Sequence, residues 1–221
     1  MSETKDAEDE KETLRLEAFS DGVYAIAITL LVLELKVPHG LPAGESLADA
    51  LLNQWPAYLA FLVSFATIGI MWINHHRMFT HIKRADDTLL LLNLALMFGV
   101  CVIPFTTALL AAQLGHPGAR TAVVAYDSAY LGIAVFFNLL WRHAASRGGH
   151  LLADNVNRED AEKITQQYNY GPLAYGIAIA LAWVSITASL LINLVLACFF
   201  AIPPHVAVRR APGRGKHEPS S

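Results

Sequence analysis

A chain of 221 residues that is 54% hydrophobic, only 16% charged and has a mean hydropathy of +0.40 is too apolar for a soluble domain. Its charges are gathered into a few blocks separated by long apolar runs, so it reads as an all-α, polytopic membrane protein surrounded by lipid. The net charge of −3 gives no reason to expect nucleic acid, and Cys101 and Cys198, both inside apolar runs, suggest neither a disulfide framework nor a cysteine-based zinc site.

Residues 1–12, M-S-E-T-K-D-A-E-D-E-K-E, read as a disordered acidic tail. They lack the basic start, apolar stretch and cleavage site of a signal peptide. The first helix is expected from about residue 13 to 37, where Pro38 and Pro42 stop it. Within it, 19–35 reads F-S-D-G-V-Y-A-I-A-I-T-L-L-V-L-E-L, a membrane-like run that opens on Asp21 and Gly22 and carries Thr29 and Glu34. An aspartate at the mouth of a membrane helix is costly and points to function. Helical spacing places Gly22, Ile26, Thr29, Leu30, Leu33 and Val37 on one uncharged stripe.

A polar loop to about residue 53 precedes a second apolar helix over 55–73, which leads into a basic stretch, 75–84. A third helix is expected over 88–112 with a kink at Pro104, and a fourth over 121–141 after a turn at 115–118. Residues 144–168 form the one sizeable hydrophilic loop, with a helix start at Asn157 inside it. The last apolar block, 171–203, would extend about 50 Å as one helix, against a bilayer core of about 30 Å. It is too long for one crossing and slightly short for two.

Charge placement decides between them. Lys5, Lys11 and Arg15 precede the first helix; Arg77, Lys83 and Arg84 lie between the second and third; Arg142, Arg147, Arg158 and Lys163 follow the fourth; Arg209, Arg210, Arg214 and Lys216 form the tail. Only Lys36 and Arg120 sit at the opposite ends. Positive-inside bias puts both termini in the cytoplasm of a multi-pass protein of the cell membrane, which requires the last block to cross twice, turning near 185–189. Six transmembrane helices are expected within a domain of residues 13–206, followed by a basic cytoplasmic tail, 207–221.

Arg15, Phe19, Ser20 and Asp21 fit R-x-x-x-F-S-D, and the run G-V-Y-A-I-A-I-T-L-L-V-L-E-L follows directly. This stretch closely resembles the first-helix signature of the transmembrane protein 175 family, the endosomal and lysosomal potassium channels and their shorter prokaryotic relatives. Trp72, Asn74, His75, His76, Arg77 and Phe79 are similar to the family's second helix. Beyond Phe79 the resemblance is one of helix count and length. It implies a tetramer in which the first helix lines a central pore, with the tightest ring at Ile26. It also implies a structural polar network of Arg15, Ser20, Asp21, His75 and His76, with Asp21 as its hub.

One helix per subunit cannot enclose a pore, and closed symmetry makes a tetramer natural. Rings of Ile26, Leu30 and Leu33 would form an apolar constriction that closes by dewetting, with Thr29 offering hydroxyls beside it. The expectation is a potassium-selective homotetrameric channel whose partners are potassium ions, the lipid bilayer and its own copies, with no cofactor beyond the permeant ion. The Thr-Val-Gly-Tyr-Gly filter of ordinary potassium channels is absent. So are phosphate loops, nucleophile motifs and paired metal-ligand motifs, and no enzyme activity is expected. His75, His76 and His81 lack the His-x3-His spacing that shares a helix face, so no metal is expected.

Two carboxylates remain. Asp127 lies two turns inside the fourth helix, within reach of a snorkelling Arg120, and Glu34 sits near the end of the first as a solvated rim or a cation-concentrating mouth charge. A secondary transporter using Asp21 and Asp127 as carriers is the alternative, and a non-conducting structural membrane protein is a third reading.

Overall fold

A computed structural model describes residues 2–40, 44–146, 151–153 and 156–201, with side chains from residue 11 onward. Among the described residues the regular elements are helices, joined by one isolated antiparallel bridge between Ile82 and Leu152. The basic tail at 207–221 lies outside them.

Helix α1 runs Ser2–Leu30 and tightens into a 3-10 turn, Leu31–Glu34. It starts well before residue 13, so the acidic segment expected to be disordered is helical. Its Glu, Lys and Ala are strong helix formers, and acids near a helix start suit the dipole. At the other end Leu35 turns extended before reaching Val37, as befits the approach to Pro38. Lys36 Nζ caps the freed Leu33 carbonyl at 2.9 Å.

The polar loop that follows holds a short helix, α2, Leu47–Asn53. Ser46 and Asp49 close a reciprocal capping box at its start. Helix α3, Trp55–Phe79, continues six residues past the expected end because nothing between Ile73 and Phe79 breaks it. This lifts His75, His76 and Arg77 onto the helix. Helix α4, Asp87–Gln113, is capped by Asp86, and Pro104 lies within it without ending it. Helix α5 spans Ala119–Ala145.

Asn157 caps α6, Arg158–Ala182, through the Asp160 amide at 2.8 Å. The helix therefore begins inside the segment expected as loop, and half of its length is polar in sequence. A break at Trp183, Val184 and Ser185 separates it from α7, Ile186–Ala201. The hairpin expected near 185–189 is present, a few residues earlier. Among the described residues four helices are long and apolar enough to cross a membrane by length and composition: the 11–34 stretch, α3, α4 and α5.

Helix α4 packs on α5, α5 on α6, and α6 on α7, while α3 bridges α4 and α7. The α4–α5 contact is close at Gly99, where an added Cβ would stand 2.7 Å from Ile133 Cγ1. Small residues let helix backbones approach in a bilayer, where lipid offers no hydrophobic drive for helices to associate. Ile68, Leu89, Leu96, Val100, Ile133 and Trp141 form the centre of the core, fully buried. Helix α1 packs on α3 and α4, at the edge of this bundle.

Candidate functional site

The packing of α1 follows from its sequence spacing. Thr13, Leu16, Ser20, Tyr24, Ala27 and Leu31, three or four residues apart, form its buried stripe against α3 and α4. A second stripe, turned by roughly 120° at 100° per residue, faces away. There Ile26 is 62% exposed, Leu33 62% and Leu30 42%, with Thr29 also exposed and its hydroxyl turned back onto the Ile26 carbonyl at 2.8 Å. At Gly22, on the same stripe, a side chain would meet nothing within 4 Å. The four residues expected at a pore are thus gathered on one apolar face that none of the described residues covers.

What anchors the opposite face is polar. Asn93 Nδ2 on α4 donates to Ser20 Oγ at 2.9 Å, and Ser20 donates in turn to the Leu16 carbonyl at 2.9 Å. The Asn93 amide oxygen faces His75 Nε2 on α3 at 2.9 Å. An amide oxygen only accepts, so His75 donates through Nε2. Phe79 stacks on the imidazole at 4.4 Å between centroids, and Tyr24 meets it edge-on at 5.5 Å. Three helices are therefore joined by one buried chain, Ser20–Asn93–His75.

Asp21 is not the centre of this chain. Its carboxylate accepts from Trp72 Nε1 at 2.8 Å, at the exposed edge of the α1–α3 contact. His76 Nδ1 meets Glu17 Oε1 at 2.6 Å, also at the surface. Arg15 is exposed and does not reach Asp21. Six residues apart on one helix, the two point about 120° apart, on different faces. Of the five residues expected in one network, Ser20 and His75 are joined, and Asp21 and His76 each find a separate partner.

Asn93 and Glu17 complete these contacts without having been singled out in the sequence, whereas Trp72, named there within the second-helix resemblance, takes Asp21 as its partner. Asn93 carried a signal, being a lone amide in the run L-L-L-L-N-L-A-L-M, where an unpaired polar group is costly.

Asp127 is buried between α5 and α7. Its two oxygens accept from Ser189 Oγ at 2.6 Å and Asn193 Nδ2 at 2.7 Å. The expected partner, Arg120, instead lies 5.6 Å from the centre of the Trp183 ring. Seven residues of helix separate Arg120 from Asp127 by about 10 Å, and Arg120 stays at the solvated end. Glu34 sits 4.0 Å from Lys36 at the rim. Among the described residues no three His, Cys, Asp or Glu side chains are grouped to hold a metal.

A family model described as "Endosomal/lysosomal potassium channel TMEM175" matches residues 15–104, which take in α1 from Arg15 onward, α3 and Asn93. A potassium channel of Chamaesiphon minutus is 48% identical over 198 residues, covering 89% of this chain and 97% of that one. The chain belongs to the TMEM175 family. A potassium channel of Streptomyces collinus is 41% identical over 190 residues, 86% of this chain and 91% of its own. The crystal structure of a TMEM175 homologue from Chamaesiphon minutus, a lysosomal potassium-selective channel by its description, superposes with a TM-score of 0.79 at 47% identity. It covers 86% of this chain and 97% of that chain. TMEM175 proteins are ion channels, so this member of the family is no enzyme, and its chemistry is that of a permeant ion rather than a cofactor.

Proposed function

We propose that this chain forms a homotetrameric, potassium-selective channel of the cell membrane, with α1 of each subunit lining a central pore. In this reading α1, α3, α4, α5, α6 and α7 all cross the bilayer and both termini are cytoplasmic. Ile26, Leu30 and Leu33 form stacked apolar rings that exclude water from the closed neck, and Thr29 supplies hydroxyls beside them. The observation that carries it is the division of α1: one face is tied into its own bundle through Ser20, and the other presents large aliphatic side chains that none of the described residues covers. Copies of the same helix around an axis would cover that face. The names of the two bacterial relatives support potassium as the ion.

A carrier mechanism through Asp21 and Asp127 finds less support, because hydrogen bonds to protein groups already engage both carboxylates. Reconstitution into liposomes under a potassium gradient tests the proposal. Discrete single-channel steps with a reversal potential near that of potassium are expected; slow, saturable flux coupled to another ion contradicts it.

A further inference from the structure

At the end of the bundle where α4 turns into α5 and α6 into α7, two hollows meet at Ile186. The first is an apolar groove of about 280 Å3 between α3, α4 and α7. Its floor is Ala60, Leu110 and Tyr126, all buried, and its walls include Leu59 and Leu191, both exposed. Along α7 it reaches from Ile186 to Leu194, and along α3 from Trp55 to Val63. Each stretch, eight residue steps long, is about 12 Å of helix, and one leaflet of the hydrocarbon core is about 15 Å deep. The groove therefore runs inward over most of a leaflet.

The second hollow holds Arg120, His116, Thr121 and Trp183. Arg120 is exposed, lies over the Trp183 ring, and has no carboxylate beside it among the described residues. The carboxylates at or near this end of the bundle are engaged elsewhere: Glu34 with Lys36, Glu45 with Asn53, Asp49 with Ser46, and Asp127 with Ser189 and Asn193. A guanidinium at the membrane interface, seated on an indole and opening onto an apolar channel, lacks an anion from the described residues.

We propose that Arg120 and the groove beneath it bind one anionic phospholipid per chain. The lipid phosphate accepts hydrogen bonds from the guanidinium, which offers a fork of donors matched to phosphate oxygens. One acyl chain lies along α7 from Ile186 to Leu194. Charge selects the class: a zwitterionic lipid brings its own ammonium, whereas a phosphatidylglycerol-type headgroup leaves its negative charge for the arginine.

Native mass spectrometry of the full-length protein, equilibrated with equal phosphatidylglycerol and phosphatidylcholine, tests this. Wild type should retain phosphatidylglycerol preferentially, one per chain. Arg120→Gln should lose about fivefold in that preference, the effect of one cation near an anionic headgroup, while Arg120→Lys keeps most of it. Size-exclusion elution checks that the variants remain assembled. A Leu191→Trp reporter should be quenched by phosphatidylglycerol brominated on its acyl chains, and millimolar inorganic phosphate should not reverse this. Equal retention of both lipids by wild type, or unchanged preference in Arg120→Gln, overturns the proposal. Displacement by free phosphate would reduce the site to an anion contact without a lipid. An unquenched reporter would mean that another protein surface, such as a second copy of the chain, covers the groove.

Discussion

Asn93 donates to Ser20 at 2.9 Å, and with this bond α4 holds α1 at the centre of a buried contact. Both residues are completely buried, as is His75 on the other side of the amide. Asn93→Leu conserves approximate volume but removes the partner of two polar groups at once. Leaving a buried donor or acceptor unmatched costs about 1–3 kcal/mol. The variant should lower the thermal stability of the detergent-solubilised protein by that amount. Ser20→Ala should cost less, because the hydroxyl's own donation, to Leu16, stays within α1. A variant as stable as wild type would show that the Ser20–Asn93–His75 chain does not hold α1 in place.

Asp21 makes a different prediction from the one its sequence context invites. As the hub of a buried ion pair it would lose about 3–5 kcal/mol on neutralisation. Its observed partner is the Trp72 indole, at an exposed edge, and Asn can accept that hydrogen bond equally well. Asp21→Asn should therefore remain assembled and cost about 1 kcal/mol or less. Trp72→Phe and Asp21→Ala should show a coupling of about 0.5–1.5 kcal/mol in a double-mutant cycle read by thermal melting. Additive effects would mean that the hydrogen bond contributes nothing.

These two cases show what the residues of this chain disclose and what they withhold. The apolar runs and the lysine and arginine blocks placed the long helices and the late hairpin, because membrane crossing is a matter of length and composition. The exposed aliphatic stripe of α1 was visible for the same reason, being a pattern within one helix. Asn93 was not placed because its partners lie 73 and 18 residues away in sequence, and only packing decides which polar residues meet. The network expected around Asp21 came from a motif, and a motif names the polar residues without saying which face of a helix each one takes. The start of α6 was legible in its cap, since Asn157 precedes Arg158 as the spacing predicts, but the polarity of its first half hid how far the helix extends through 158–168.

Asp127 is held on both oxygens by α7, and α7 is short and weakly amphipathic by sequence. Asp127→Ala removes the acceptor for a serine and an asparagine that are buried with it. A loss of about 2–3 kcal/mol is expected, with proteolysis appearing first at the Trp183–Ser185 break. If Asp127 instead carries ions, the same variant should stay stable and lose flux.

The crossing of α6 can be tested at its two ends. Val184 is 83% exposed in the α6–α7 turn, and Lys163 is exposed near the start of α6. In a background lacking Cys101 and Cys198, Val184→Cys should react with an impermeant maleimide only from outside the cell. Lys163→Cys should react only after permeabilisation. Gly44 is a poor alternative for the outer probe, since its φ of +92° strains any other residue. Labelling of positions 163 and 184 from the same side would mean that α6 does not cross, and the six-span arrangement would fail.

The face of α1 that lines the pathway is open to a paired test. Ile26 is 62% exposed, whereas Ile28 is partly buried against the core of its own bundle. Two residues on, a side chain is turned by about 200°. In a closed ring, Ile26 excludes water because a narrow apolar neck offers it no hydrogen bonds, and an ion entering would shed its hydration without replacement. Ile26→Asn places donors and acceptors at that level with nearly the same volume. Water should persist in the neck, so basal current should rise and discrimination between potassium and sodium should weaken. Ile28→Asn puts the same amide against apolar neighbours, which should cost about 1–3 kcal/mol of stability without opening the pathway. Bilayer currents and reversal potentials at matched reconstitution distinguish the two. If Ile28→Asn changes conduction while Ile26→Asn does not, the pore lies on the other face of α1. If neither does, α1 does not line the pathway.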